Sequence, residues 1–91
     1  MTILARIKQK VRDGNFVLSQ HCRIELEADG FSREDAKTAI LNAKEFDKMT
    51  GDESHARYVL FGTANDGRAL NVVLFIHQGT VVVKTGYESF S

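Results

Sequence analysis

A second cysteine is missing. Cys22 stands alone in 91 residues, so no intrachain disulfide can form, and a reducing compartment fits the chain best. Net charge is also missing: twelve Lys and Arg balance twelve Asp and Glu, at a sequence pI of about 6.8. That balance argues against broad electrostatic attraction to nucleic acid, which works by neutralising phosphates with cationic side chains. No stretch approaches the length of a transmembrane helix, so a membrane is not expected as a partner. The opening "MTILARIKQK" has neither a long apolar segment nor a small-residue cleavage site, which excludes a secretory signal and leaves a cytoplasmic protein as the expectation. Repeats, low-complexity tracts, linkers and a phosphate-binding glycine loop are absent as well. What is present is 43% hydrophobic and 26% charged residues, the balance of a globular chain, in a length that makes one domain over residues 1–91.

Apolar residues at Ile3, Leu4, Ile7 and Val11 have helical spacing, with Gly14 after Asp13 as a stop. Arg6, Lys8, Lys10 and Arg12 on that helix form a basic run, read either as a solvated face or as a phosphate-contacting edge. "NFVL" reads as a short extended link into Ser19, whose hydroxyl suits the N-cap of a second helix ending at Gly30. A third helix starts at Ser32, with Asp35 completing a carboxylate capping box and Phe31 stapling back onto the first turn. Ala36, Ala39, Ile40 and Ala43 are its packing stripe. "KEFDKMTGDESH" is a polar connector with room for a short edge strand. Strands follow at Arg57 to Gly62, Arg68 to His77 and Thr80 to Tyr87, joined by the turns "ANDG" and "QG". The order predicts an α+β fold: N-terminal helices packed on one face of a C-terminal antiparallel meander sheet of three to four strands. In the last strand Val81, Val83, Thr85 and Tyr87 alternate with Val82, Lys84 and Gly86. Both sheet faces carry apolar residues, so the face away from the helices is expected to be covered by the chain's own ends or by another protein.

The second helix holds the chemistry. At 3.6 residues per turn, His21, Glu25 and Asp29 fall on one line, opposite Arg23 and Glu27 and between two apolar shoulders. The row is therefore expected to face inward, where a carboxylate needs a cation. The strands offer Arg57, Arg68 and Lys84. One reading makes this a structural network that fixes the helix on the sheet. The other makes it a cleft in which His21 and Glu25 share a proton and an Arg or Lys holds an anion. A metal site would need a third ligand from Asp29, His55 or His77, and nothing resembles a dedicated metal motif; no metal and no cofactor are expected. Cys22 sits on a packing edge and reads as a buried structural thiol.

The segments "LSQHCRIELEADGFSREDAKTAI", "RYVLFGTANDGRALNVVLFI" and "VVVKTGYE" resemble the family known as domain of unknown function (DUF) 4258, across Ile3 to Tyr87. That family is similar in layout to the RelE/ParE and BrnT group of bacterial toxins, many of which cleave RNA without metal and are neutralised by an antitoxin. The resemblance implies a toxin-like protein of a toxin–antitoxin pair, acting as a metal-independent ribonuclease. In it His21 would be the general acid/base and Arg57, Arg68 or Lys84 the cations at the scissile phosphate, with Tyr87 nearby. Glu25 joins them from the residues alone, as the carboxylate that can share a proton with His21, at a position where some toxin-like relatives carry Arg. Residues alone favour a non-catalytic interaction module that uses the apolar outer sheet face to bind an antitoxin, another partner or a second copy. A metal-dependent hydrolase is a third reading.

Overall fold

Thr2 opens helix α1 (Ile3–Arg12), its hydroxyl accepting from the Ala5 N–H at 3.1 Å. The structure is a computed structural model and describes residues 1–49 and 56–90. Among these residues there are three helices and a five-stranded sheet: α1, strand β1 (Phe16–Leu18), α2 (Gln20–Ala28), α3 (Arg33–Asn42), β2 (Glu45–Met49), β3 (Arg57–Thr63), β4 (Ala69–His77) and β5 (Thr80–Glu88). The strand order is β1-β5-β4-β3-β2. Strands β2 to β5 form the expected antiparallel meander. The expectation of three to four antiparallel strands is corrected at the edge: "NFVL" contains a strand, β1, which pairs parallel with β5 from Phe16 opposite Val81 to Leu18 opposite Val83. The sheet is therefore mixed. Three residues are too few to show a period of two, and the partner strand lies more than sixty residues away, so nothing local announces this pairing.

One face of the sheet carries the core. Ile7 and Val11 of α1, Cys22 and Leu26 of α2, and Ala39 and Ile40 of α3 close over Leu60, Leu70, Val72, Leu74, Val81 and Val83. Alternation in β4 is as expected, with Leu70, Val72 and Leu74 inward. In β5 it breaks. Val73 pairs with Thr85 but Leu74 pairs with Val83, so Lys84 is an extra residue, a β-bulge. Val81 and Val83 face the helices, and so does Gly86, where an added Cβ would meet the Leu26 side chain at 2.9 Å. Thr85 and Tyr87, expected on the Val83 face, are thereby put in register with Val73 and Asn71 of the outer face. Tyr87 points away from the helices, while Thr85, next to the bulge, keeps its hydroxyl on Glu25 of α2. At the β4–β5 hairpin, Gln78 and Gly79 both take positive φ, 50° and 80°, the requirement of a two-residue turn matched to strand twist.

The capping box of α3 is present and does more than cap. The Asp35 carboxylate accepts from the Ser32 N–H at 2.8 Å and from the Asn65 N–H at 3.0 Å, tying the helix to the β3–β4 turn. These hydrogen bonds, that from the Ser32 backbone above all, hold the Asp35 carboxyl below its ordinary range. A depressed folded value means the contribution is full above the ordinary carboxylate pKa and is lost as pH falls through the folded one. We expect Asp35→Ala to cost about 1 kcal/mol at neutral pH, and the gap to the parent to close in strong acid. Urea titrations at the two pH values check both.

Candidate functional site

Ser19 builds the site. Its backbone N–H donates to the Val83 carbonyl at 3.0 Å, and its hydroxyl donates to the Lys84 carbonyl at 2.9 Å while accepting from the Cys22 N–H at 3.0 Å. One residue thus ends the β1 pairing, satisfies the bulge and starts α2. From there α2 runs beside β5, its main packing partner in the sheet. The helix side chains nearest the bulge are those of its first two turns.

The inward row does not survive. Cys22 and Leu26 are the buried residues of α2, whereas the His21 side chain is 73% exposed and that of Glu25 34%. Asp29 is exposed at the C-cap. A nine-residue helix docked along a strand buries one narrow line, not a broad face, and that line is the apolar shoulder Cys22–Leu26. Yet His21 and Glu25 are brought together: His21 Nε2 lies 3.3 Å from Glu25 Oε1, and the same oxygen accepts from the Thr85 hydroxyl. Thr85 was not singled out in the sequence, because strand alternation sorts residues by face and does not say which of them a helix side chain will meet. Lys84 is the bulged residue itself, and Tyr87 follows two positions beyond Thr85, 42% exposed. His21, Glu25, Lys84, Thr85 and Tyr87 therefore share one edge.

Arg57 and Arg68 lie elsewhere. Arg57 begins β3, which β4 separates from β5, or about 10 Å across the sheet. Arg68 closes the far end of α2. Its guanidinium donates to the Asp29 carbonyl at 2.9 Å and the Gly30 carbonyl at 3.2 Å, pairs with Asp66 at 2.7 Å and Glu88 at 3.5 Å, and stacks 4.0 Å above the Phe31 ring. Last-turn carbonyls without intrahelical partners attract such a cation. The turn motif Asp66-Gly67-Arg68 is thus a clamp on α2. Of the residues proposed as metal ligands, His77 ends β4 and His55 lies outside the described residues; among those described, no three His, Cys, Asp or Glu gather closely enough to hold a metal. No helix among them is long and apolar enough to cross a membrane.

Cys22 is fully buried. Burial first, and the Glu25 carboxylate second, push its thiol up to about 11. A raised thiol stabilises the fold below its ordinary pKa and loses that contribution as pH rises through the folded value. Two units above the ordinary 9.0 leave roughly a hundredfold less thiolate at mildly alkaline pH. The native protein is expected to react with a disulfide reagent about a hundredfold more slowly than after denaturation in urea.

A family model described as "Domain of unknown function (DUF4258)" matches residues 18–88. The chain belongs to that family. The match begins at the last residue of β1 and ends with β5, so it takes in α2, the bulge and the Arg68 clamp and leaves out the basic run of α1. No curated protein and no solved structure matches the chain.

Proposed function

We propose that this protein is a metal-independent ribonuclease, the toxin-like half of a toxin–antitoxin pair, with His21 as general acid/base. The observation that supports this is the His21–Glu25–Thr85 cluster at the bulge of β5. An exposed imidazole is held by a carboxylate that is itself held by a hydroxyl, with Lys84 on the same edge. Such a chain orients a proton carrier while leaving its other face open to substrate. RNA carries its own nucleophile. The 2′-oxygen attacks the adjacent phosphorus as its proton passes to the His21 imidazole, and the imidazolium so formed returns that proton to the 5′-oxygen as the P–O5′ bond breaks. The products are a 2′,3′-cyclic phosphate and a 5′-hydroxyl. Lys84 would face the charge that grows on the phosphoryl oxygens.

Incubation of purified protein with labelled RNA in excess chelator tests this. Cleavage leaving cyclic phosphate ends is expected, and expression in bacteria should arrest growth until an antitoxin is supplied. Intact RNA, or ends carrying 5′-phosphates, would refute the assignment.

The outer sheet face favours a second reading. Val17, Met49, Phe61 and Tyr87 are exposed large apolar side chains, and the strand registers place all four on the side away from the helices. In this reading the chain is a non-catalytic module that pairs with a second copy through that face. Sedimentation equilibrium would then show a dimer that Phe61→Glu dissociates.

A further inference from the structure

Across the three central strands of the outer face, one row differs from its neighbours. Asn71 of β4 is in register with Phe61 of β3 on one side and Tyr87 of β5 on the other. All three point away from the helices, because Leu60, Leu70 and Val72 belong to the core and the next positions, Gly62 and Gly86, are pressed against α3 and Leu26. In the next row along the strands Val59 and Val73 are both buried, with Thr85 beside them on β5. Asn71, at 8% exposure, is the one buried polar side chain among the described residues. None of these residues forms a hydrogen bond to its side-chain amide, and no fully enclosed side-chain N or O atom lacks a partner, so the amide still reaches solvent. It does so in a depression of about 340 Å³ that Phe61 and Asn71 line together.

A valine there would continue the neighbouring row at no cost in desolvated polar atoms, whereas an amide so placed is useful only when something pairs with it. The amide offers two donors and one acceptor, the pattern that complements a nucleobase edge. Flanking it, Phe61 is 37% exposed and Tyr87 42%, so each offers an aromatic surface. Phe61 stands on β3 and Tyr87 on β5, one to each side of β4. Exposed aromatics on central strands are a means by which β-sheets bind unpaired bases, and every base has a face to stack.

We propose that the Phe61–Asn71–Tyr87 row is a base-reading subsite: one unpaired base of single-stranded RNA stacks on an aromatic ring and hydrogen-bonds through its edge to the Asn71 amide. The subsite rests on the ribonuclease reading and deepens it. Tyr87 lies two residues along β5 from Thr85, about 7 Å, and Thr85 touches Glu25. A strand with its base in the slot on the outer face therefore reaches His21, on α2, by turning round β5 at Thr85. Stacking also gives a chain of zero net charge a way to hold RNA that does not depend on counterion release.

The test is run on the His21→Ala protein, so that cleavage does not intrude and failure of the catalytic reading leaves the binding measurement intact. Fluorescein-labelled hexamers of A, C and U are titrated by anisotropy at two salt concentrations. One hexamer should bind roughly tenfold or more tightly than another, with a salt slope no greater than about two phosphates' worth. Asn71→Leu should erase that preference, and Tyr87→Leu, a surface change that leaves the fold intact by circular dichroism, should weaken the preferred hexamer about tenfold. Equal binding of all three hexamers, a preference unchanged in Asn71→Leu and Tyr87→Leu, or no binding with a dimer that Phe61→Glu dissociates would each overturn the subsite.

Discussion

Gly62→Ala is expected to destabilise the protein by about 3 kcal/mol or more, although alanine at an ordinary backbone conformation usually stabilises a fold by narrowing the unfolded ensemble. Gly62 lies in β3 beneath α3. A Cβ built there would fall 2.6 Å from the Ala39 carbonyl carbon and 2.8 Å from its Cα, and closer still to its oxygen. These are backbone atoms, so no rotamer change relieves the contact; α3 would have to lift. Lifting is resisted along the helix. The Asn42 amide donates to the Thr63 carbonyl at 2.9 Å and accepts from the Thr63 N–H at 3.0 Å, while Asp35 and Thr38 hold Asn65. Ala36, Ala39 and Ala43 are small so that this approach is possible. Gly86→Ala is the control: its Cβ would meet only the movable tip of Leu26, and about 1 kcal/mol is expected. Denaturant midpoints for the two variants decide the matter. A Gly62→Ala protein as stable as its parent would mean that helix and strand are farther apart than described.

The small-residue stripe of α3 was legible as close approach, and the caps at Ser19, Ser32 and Asp35 were legible too, because capping chemistry is written within four residues. The central strands announced themselves by alternation. The angle at which α2 meets the sheet did not. A helical wheel sorts residues around an axis but does not say which direction on that wheel is the contact, and the row His21–Glu25–Asp29 was assigned to the wrong one. The row's cations followed the same error: Arg68, expected opposite Glu25, serves the other end of the helix. The bulge at Lys84 was hidden for a separate reason. Gly86, the inward residue after it, has no side chain with which to show the parity of β5. The outward turn of Tyr87 went unread as a result, and so did the bulged edge on which the candidate site is built.

Loss of the imaidazole is the second large effect, and it falls on rate, not on stability. His21→Ala removes a side chain that is 73% exposed, so the unfolding midpoint should move by no more than about 0.5 kcal/mol. Positioned general acid/base groups contribute about 10²–10⁴-fold, and a loss of that size is expected in kcat for RNA cleavage, with KM little changed because the imidazole acts on the transition state and not on binding. Glu25→Gln separates orientation from proton transfer. Glutamine keeps an acceptor for the Thr85 hydroxyl and for His21 but carries no charge to balance an imidazolium, so a smaller loss of about tenfold is expected, again in kcat. Lys84→Met should lower kcat by removing charge beside the phosphoryl oxygens. Arg57→Met, about 10 Å across the sheet, should leave it within threefold of the parent. These four rates map the centre onto the bulged edge of β5. A His21→Ala enzyme within threefold of the parent, or an Arg57→Met enzyme as impaired as Lys84→Met, would move the chemistry off that edge.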